Sequence, residues 1–178
     1  RRDTVKILQR IIQLVDSIPL GNRDDWDSYF LGQAFITSLR STCGSRRVGA
    51  VIVCDNRIIA SGYNGYRKGA KHCIDGGCPR FAARQEGLLD SGKYSDQYPC
   101  DAFHAEENAI YQLVQSGIQK TKGDNWTIYC TTAPCRACAK MINGAGITRV
   151  VYNVGYPDDY SIEYFKKYGI ELTRIPAE

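Results

Sequence analysis

The sequence predicts an α/β fold, a three-layer α/β/α sandwich on a five-stranded mixed sheet. Three observations carry that expectation. Apolar, β-branched stretches alternate with short helical patterns through the second half of the chain. Two earlier stretches of the same kind flank Asp55-Asn56, a hairpin signal. A length of 178 residues suits one globular domain with room for a sheet and several helices.

Taken in order, "TVKILQRIIQLVDSI" places apolar residues at 7, 8, 11, 12, 14, 15 and 18, the stripe of an amphipathic helix within residues 1–20. It reads as a packing helix, with a linker to an upstream domain as the alternative. "PLGNRDD" breaks it, and a second helix runs from Trp26 to about Leu39. "VGAVIVCDNRIIASGYNG" then reads as two antiparallel strands. The segment 67–102 is a Gly-, Lys- and Cys-bearing insertion of weak periodicity, a loop that needs a staple or a function. A helix from His104, a strand from Trp126, a helix from about Arg136, a strand from Arg149, a helix over Ser161–Gly169 and a strand over Ile170–Ile175 complete the pattern, with the later strands parallel. There is no internal repeat and no low-complexity segment.

Composition removes several function classes. Hydrophobic residues make up 43% of the chain, yet no run approaches the roughly 18 to 20 apolar residues of a membrane span, so a soluble protein without a membrane partner is expected. No signal peptide is visible; the start Arg1-Arg2-Asp3, without methionine, reads as an excised or processed chain and leaves an upstream targeting segment open. The expected location is the cytoplasm, with the nucleus as a second compartment. A net charge of +4 favours an anionic ligand but is far from the dense basic stripe of a dedicated nucleic-acid binder.

Eight cysteines pose a choice between disulfides and metal ligation. "PCRAC" puts Cys135 and Cys138 at the C-x-x-C interval that grips one tetrahedral zinc, and "HAE" adds a nitrogen ligand, His104, and an acid, Glu106. A thioredoxin-like reading of the cysteine pair alone has no use for that histidine. His104 and Glu106 open one helix and Cys135 and Cys138 the next, each after a strand or loop, where ligands of such sheets collect. Three protein ligands leave a fourth position for water, the arrangement of a catalytic zinc, and Glu106 is placed to shuttle protons. H-x-E followed by P-C-x-x-C is the constellation of zinc-dependent nucleobase deaminases.

The segments "RSTCGSRRVGAVIV", "GYNG", "HCIDGGCPR", "HAEENAI" and "PCRACAK", in that order, resemble those of deoxycytidylate (dCMP) deaminases, and the likeness runs from about Trp26 to Ile175. The segment "FAARQEGLLDSGKYSDQYPCDAF" departs from the family pattern. The resemblance implies a cytidine-deaminase-like domain over 24–178, zinc-dependent conversion of dCMP to dUMP and ammonia in the supply of thymidylate, a homohexamer, activation by dCTP and inhibition by dTTP. Carried over by position, His104, Cys135 and Cys138 hold the catalytic zinc and Glu106 moves protons. Asn64, Ala105 and Tyr156 meet the nucleotide. Asn64 also fits a plain turn, and Tyr156 a core or rim aromatic. Ser45, Arg46 and Arg47 suit a phosphate or a solvated basic loop.

The resemblance also implies a second, structural zinc, expected at Cys43, Cys73, Cys78 and Cys100 with His72 as an alternate ligand; "CIDGGC" supplies a tolerable interval. Free buried cysteine is the competing reading, and the one adopted for Cys54 and Cys130. Two other functions compete: the same chemistry on dCTP or on cytosine in single-stranded nucleic acid, and a catalytically idle deoxynucleotide-binding regulator. Few clustered aromatic and basic groups argue against a polynucleotide channel, and an intact Glu106 argues against an idle module.

Overall fold

Gly49–Cys54 is apolar on both faces and forms β1, an interior strand buried along almost its whole length. Its partner β2, Arg57–Tyr63, lies at the sheet edge and is partly exposed. Asp55 (φ 48°) and Asn56 (φ 57°) both adopt the left-handed conformation of a two-residue primed turn, setting Cys54 opposite Arg57. The computed structural model describes residues 2–90, 93, 95–155 and 157–176, with side chains from Lys6 onward.

The sheet is completed by β3 (Trp126–Thr132), β4 (Arg149–Val154) and β5 (Glu171–Arg174), in the order β2-β1-β3-β4-β5. β1 is antiparallel to β2 and β3, whereas β3, β4 and β5 are mutually parallel, as the sequence predicts. The two-residue period of the strands sorts their side chains into two cores. Ala50, Ile52, Ile128, Cys130, Val150 and Tyr152 face one side, where they meet Ala109, Leu113, Ile142 and Phe165. Val51, Val53, Tyr129 and Val151 face the other and meet Phe30, Leu31 and Ala34.

The helices that cover these faces are α2 (Trp26–Ser38) on the second side and α4 (Ala105–Gln115), α5 (Arg136–Gly144) and α6 (Asp159–Lys167) on the first. Two glycines set how closely they approach. A Cβ on Gly49 would meet the backbone of α2 at Ala34 and Ser38, and one on Gly62 would meet the backbone of α4 at Ala105 and Ala109. Gly62 therefore fixes the seat of the helix that begins at the H-x-E motif.

Two elements differ from expectation. The insertion is not wholly irregular: it contains a 3-10 turn at Cys73–Asp75 and a short helix, α3, at Pro79–Gln85. Too short to show a periodicity, α3 is held by its ends: Pro79 opens it, and the Cys78 sulfur accepts the Phe81 N–H at 3.4 Å. The first helix, α1 (Arg2–Ser17), forms as predicted but does not pack on the sheet. Leu8, Ile12, Leu14 and Val15 are exposed, and residues 18–25, with Pro19 and Gly21, separate α1 from α2.

One ion pair locks α2 to the sheet. Arg149 on β4 donates to both carboxylate oxygens of Asp27 at 2.6 and 2.7 Å and to Glu171 at 2.9 Å, and the Tyr129 hydroxyl donates to Asp27 at 2.8 Å. The Arg149 bonds, foremost, hold the Asp27 carboxyl below the ordinary aspartate range. Its folded pKa is thus depressed, so the stability it contributes is present above the unfolded value and is lost as pH falls through the folded one. Asp27→Ala is expected to cost about 2 kcal/mol in urea unfolding at pH 7, with the gap to the native protein narrowing below about pH 4.

Candidate metal centre

Because β1 is antiparallel to both of its neighbours, β2 and β3 run the same way and end at one edge of the sheet, where β1 starts. Tyr63 is paired with Gly49 there, and the Gly49 N–H donates to the Thr131 hydroxyl at 3.1 Å. α4 and α5 both begin at this edge, so two helix N-termini point at the same space.

The "HAEEN" turn divides its labour among its side chains. His104 is the N-cap of α4, and its N–H donates to the Glu107 carboxylate at 2.6 Å. Asn108 donates to the Tyr63 carbonyl at 2.7 Å and ties α4 to the end of β2. The preceding residue, Phe103, exchanges backbone bonds with Gly65 at 2.9 and 3.1 Å. His104 is thus fixed from both sides. Glu106 points inward and is only 4% exposed.

Cys135 is the N-cap of α5 and Cys138 lies in its first turn, fully buried. His104 Nδ1 lies 3.5 Å from the Cys135 sulfur and 3.3 Å from the Cys138 sulfur. All three donor atoms fall within 4.8 Å of one another, the one such group among the described residues. Tetrahedral zinc with ordinary Zn–S and Zn–N bonds requires an N···S edge of about 3.5 Å, so this donor set fits the metal.

The electrostatics point the same way. A hydrogen bond from Cys138 foremost, and then one from His104, pulls the Cys135 thiol down to about 3. The Cys135 sulfur in turn raises His104 to about 9, while the hydrogen bond to Cys135 and burial push Cys138 far up. The lowered thiol and the raised imidazole mark Cys135 and His104 as a closely coupled donor pair. Burial raises the Glu106 carboxyl to about 7, near the value a group needs to take and return a proton in neutral solution.

A cavity of about 240 Å³ opens over this group. Asn64, His104, Ala105, Glu106 and Cys135 wall one part of it; Arg46 and Val48 before β1, and Thr132 and Ala133 at the end of β3, close the rest. Asn64 and Ala105 line the cavity beside the cluster, while Tyr156 lies outside the described residues. Of the basic loop, Arg46 reaches this cavity, Ser45 instead accepts from Arg84 at 3.0 Å, and Arg47 lines neither of the two cavities.

Cys43, Cys73, Cys78 and Cys100 surround a second cavity of about 170 Å³, which shares Asn64 and His104 with the first. Backbone N–H groups donate to two of these sulfurs, Gly44 to Cys73 at 3.3 Å and Phe81 to Cys78 at 3.4 Å. Burial lifts Cys73 to about 12; Cys78, which burial also opposes, is lowered by the Phe81 N–H and by hydrogen bonds from Tyr66, Cys100 and Cys73. Among the described residues no three of these thiols close to within 4.8 Å. His72 faces Thr42 at 3.2 Å and does not line the cavity. Cys54 and Cys130 are free in the sheet, Cys130 fully buried.

Sequence reasoning missed Glu107, Asn108, Val48, Thr132 and Ala133. Only Glu107 carried a signal, an acid three residues after an N-cap. Val48, Thr132 and Ala133 reach the site through the sheet edge, which only the pairing of strands brings together, and Asn108 through its bond to the Tyr63 carbonyl.

Residues 24–154 match the model of the cytidine and deoxycytidylate deaminase zinc-binding region. The chain is 41% identical over 158 residues to the deoxycytidylate deaminase of Schizosaccharomyces pombe, covering 88% of this chain and 46% of that protein. The deoxycytidylate deaminase of Mycobacterium phage D29 is 39% identical over 132 residues, covering 74% of this chain and 96% of its own length. Among solved structures, the dCMP deaminase of cyanophage S-TIM5 in complex with dCMP and dUMP superposes with a TM-score of 0.66 at 25% identity, over 86% of this chain and 99% of that one. This chain spans about half the length of the yeast relatives it matches, at 46% each. A matched segment that carries both halves of the His/Cys/Cys cluster makes the chain a member of the cytidine and deoxycytidylate deaminase zinc-binding family.

Proposed function

We propose that this chain hydrolyses dCMP to dUMP and ammonia, supplying dUMP for thymidylate synthesis. The observation that carries the reading is a buried carboxyl, Glu106, beside a three-donor metal cluster on the wall of one cavity. It is supported by the matched phage enzyme, whose own length is almost wholly covered, and by the cyanophage structure that holds dCMP and dUMP.

His104, Cys135 and Cys138 hold the zinc. Bound there, the metal supplies a Lewis acid that brings the pKa of water near neutrality. Glu106 takes the proton of the attacking water, passes it to ring N3 of the cytosine, and moves a second proton from the new C4 hydroxyl to the departing amine. The C4–O bond forms, the C4–N bond breaks, and ammonia leaves. Burial keeps Glu106 close enough to neutral to hold the proton between the two transfers. Asn64, Ala105 and Tyr156 contact the nucleotide, and Arg46 is the candidate for its phosphate, with Ser45 and Arg47 beside it. dCTP activates the enzyme, dTTP inhibits it, and a homohexamer is the working assembly.

Cys43, Cys73, Cys78 and Cys100 are the ligands proposed for a second, structural zinc. The Phe81 N–H aimed at the Cys78 sulfur favours its thiolate, and a metal would staple an insertion whose helix is held mainly at its ends. Residues 24–178 form the deaminase domain. The exposed stripe of α1 supports a role for 1–20 as a connector that packs against a partner outside that domain.

Glu106→Gln is expected to keep its zinc and its fold while ammonia release from dCMP falls by about 10² to 10⁴; near-native turnover in the zinc-replete variant would overturn the assignment. Cys138→Ser is expected to lose the catalytic metal itself, read by metal analysis after gel filtration. For the insertion, metal analysis of the native protein should return about two zinc ions per chain, and Cys78→Ser about one with a lower Tm. One zinc in the native protein, with the four insertion thiols all titratable, would remove the second site.

A further inference from the structure

Asn64 lies at the meeting point of three segments, and its amide is almost fully used within the protein. Its Oδ1 accepts from the Ser41 hydroxyl at 2.7 Å and from the Val48 N–H at 2.8 Å, and its Nδ2 donates to the Arg46 carbonyl at 2.9 Å. A backbone N–H must meet oxygen and a backbone carbonyl must meet nitrogen, so the amide has one possible orientation. Both lone pairs of the oxygen are occupied. The second hydrogen of Nδ2 is the single bonding position of the side chain left without a partner among the described residues, and Asn64 lines the cavity over the metal cluster.

Ser41 is what completes this arrangement. It is 9% exposed, follows α2, and its oxygen accepts the Cys43 N–H at 3.2 Å while its hydrogen serves Asn64. The Asn64 carbonyl, at 2.9 Å, competes for that hydrogen, but the shorter contact is to the side chain. The hydroxyl thus joins the loop that carries Cys43 to the amide that faces the cavity.

We infer that Ser41 is a positioning residue for substrate recognition: by holding the Asn64 oxygen, it turns Asn64 into a donor-only contact that selects a hydrogen-bond acceptor on the nucleotide. The inference rests on the reading of Asn64 as a nucleotide contact. Ser41 touches neither the ligands of the catalytic cluster nor Glu106, so its removal acts on binding rather than on the chemical step, and zinc content reports separately on its bond to the Cys43 N–H beside the second site.

The test is steady-state ammonia release from dCMP by zinc-loaded Ser41→Ala, Ser41→Thr, Asn64→Ala and the double variant Ser41→Ala/Asn64→Ala, with zinc content and Tm measured alongside. Ser41→Ala is expected to raise KM about fivefold while kcat falls by no more than about half, and Ser41→Thr, which keeps the hydroxyl, to restore KM. In the Asn64→Ala background, removing the hydroxyl should change KM no further, because the group it positions is gone. An unchanged KM in Ser41→Ala, a fall in kcat without a rise in KM, or an equal effect of Ser41→Ala with and without Asn64 would overturn the inference. Failure of the underlying reading looks different: Asn64→Ala itself would then leave KM for dCMP untouched.

Discussion

The site depends on the fixed separation of two helix N-termini at one edge of the sheet. α4 is seated by the missing side chain of Gly62, by Asn108 on the Tyr63 carbonyl and by the Phe103–Gly65 bridge, so His104 cannot drift along β2. α5 begins directly after β3, which places Cys135 and Cys138 across β1 from that histidine. Had β1 been parallel to its neighbours, β2 and β3 would still share a direction, but the chain entering β1, with Arg46 and Val48, would arrive at the opposite edge and leave the cavity without its third wall. The antiparallel hairpin at Asp55-Asn56 is therefore as much a part of the site as the motif residues are.

Within that frame, the chemistry is set by where charge is allowed. Three donors meet in a partly open cluster, and a carboxyl sits beside it with almost no access to water. Solvent would hold Glu106 ionised; burial brings it to about 7, where the energy of holding and of releasing a proton is nearly balanced. The adjacent Glu107 has the same side chain and a different task, because one helical step turns it outward onto the His104 N–H. Sequence position within one turn, rather than residue type, separates the proton carrier from the cap.

Much of this was legible in the residues themselves. Apolar, β-branched runs located all five strands, the Asp55-Asn56 pair located the hairpin, and the joint pattern of His104, Glu106, Cys135 and Cys138 located the cluster, since few other functions need those donors at those spacings. What escaped was non-local or short. α3 has too few residues for a period and is held by contacts to its ends. The apolar stripe of α1 was legible, but its failure to pack on the sheet was not, because amphipathicity says that a face is to be covered and not by what. Ser41 and Asn64 are joined across 23 positions by a hydrogen bond that no local pattern announces.

In the proposed function the cavity takes a cytosine monophosphate and the cluster deaminates it. The most direct measurement is ammonia release by the zinc-loaded protein from dCMP, dCTP, deoxycytidine and single-stranded DNA in parallel, with and without added dCTP as effector. Turnover of dCMP should lie well above that of the other three, and rise further with dCTP. Turnover confined to dCTP or to DNA would contradict the substrate, and no release from any of the four by protein with its zinc in place would contradict the enzyme.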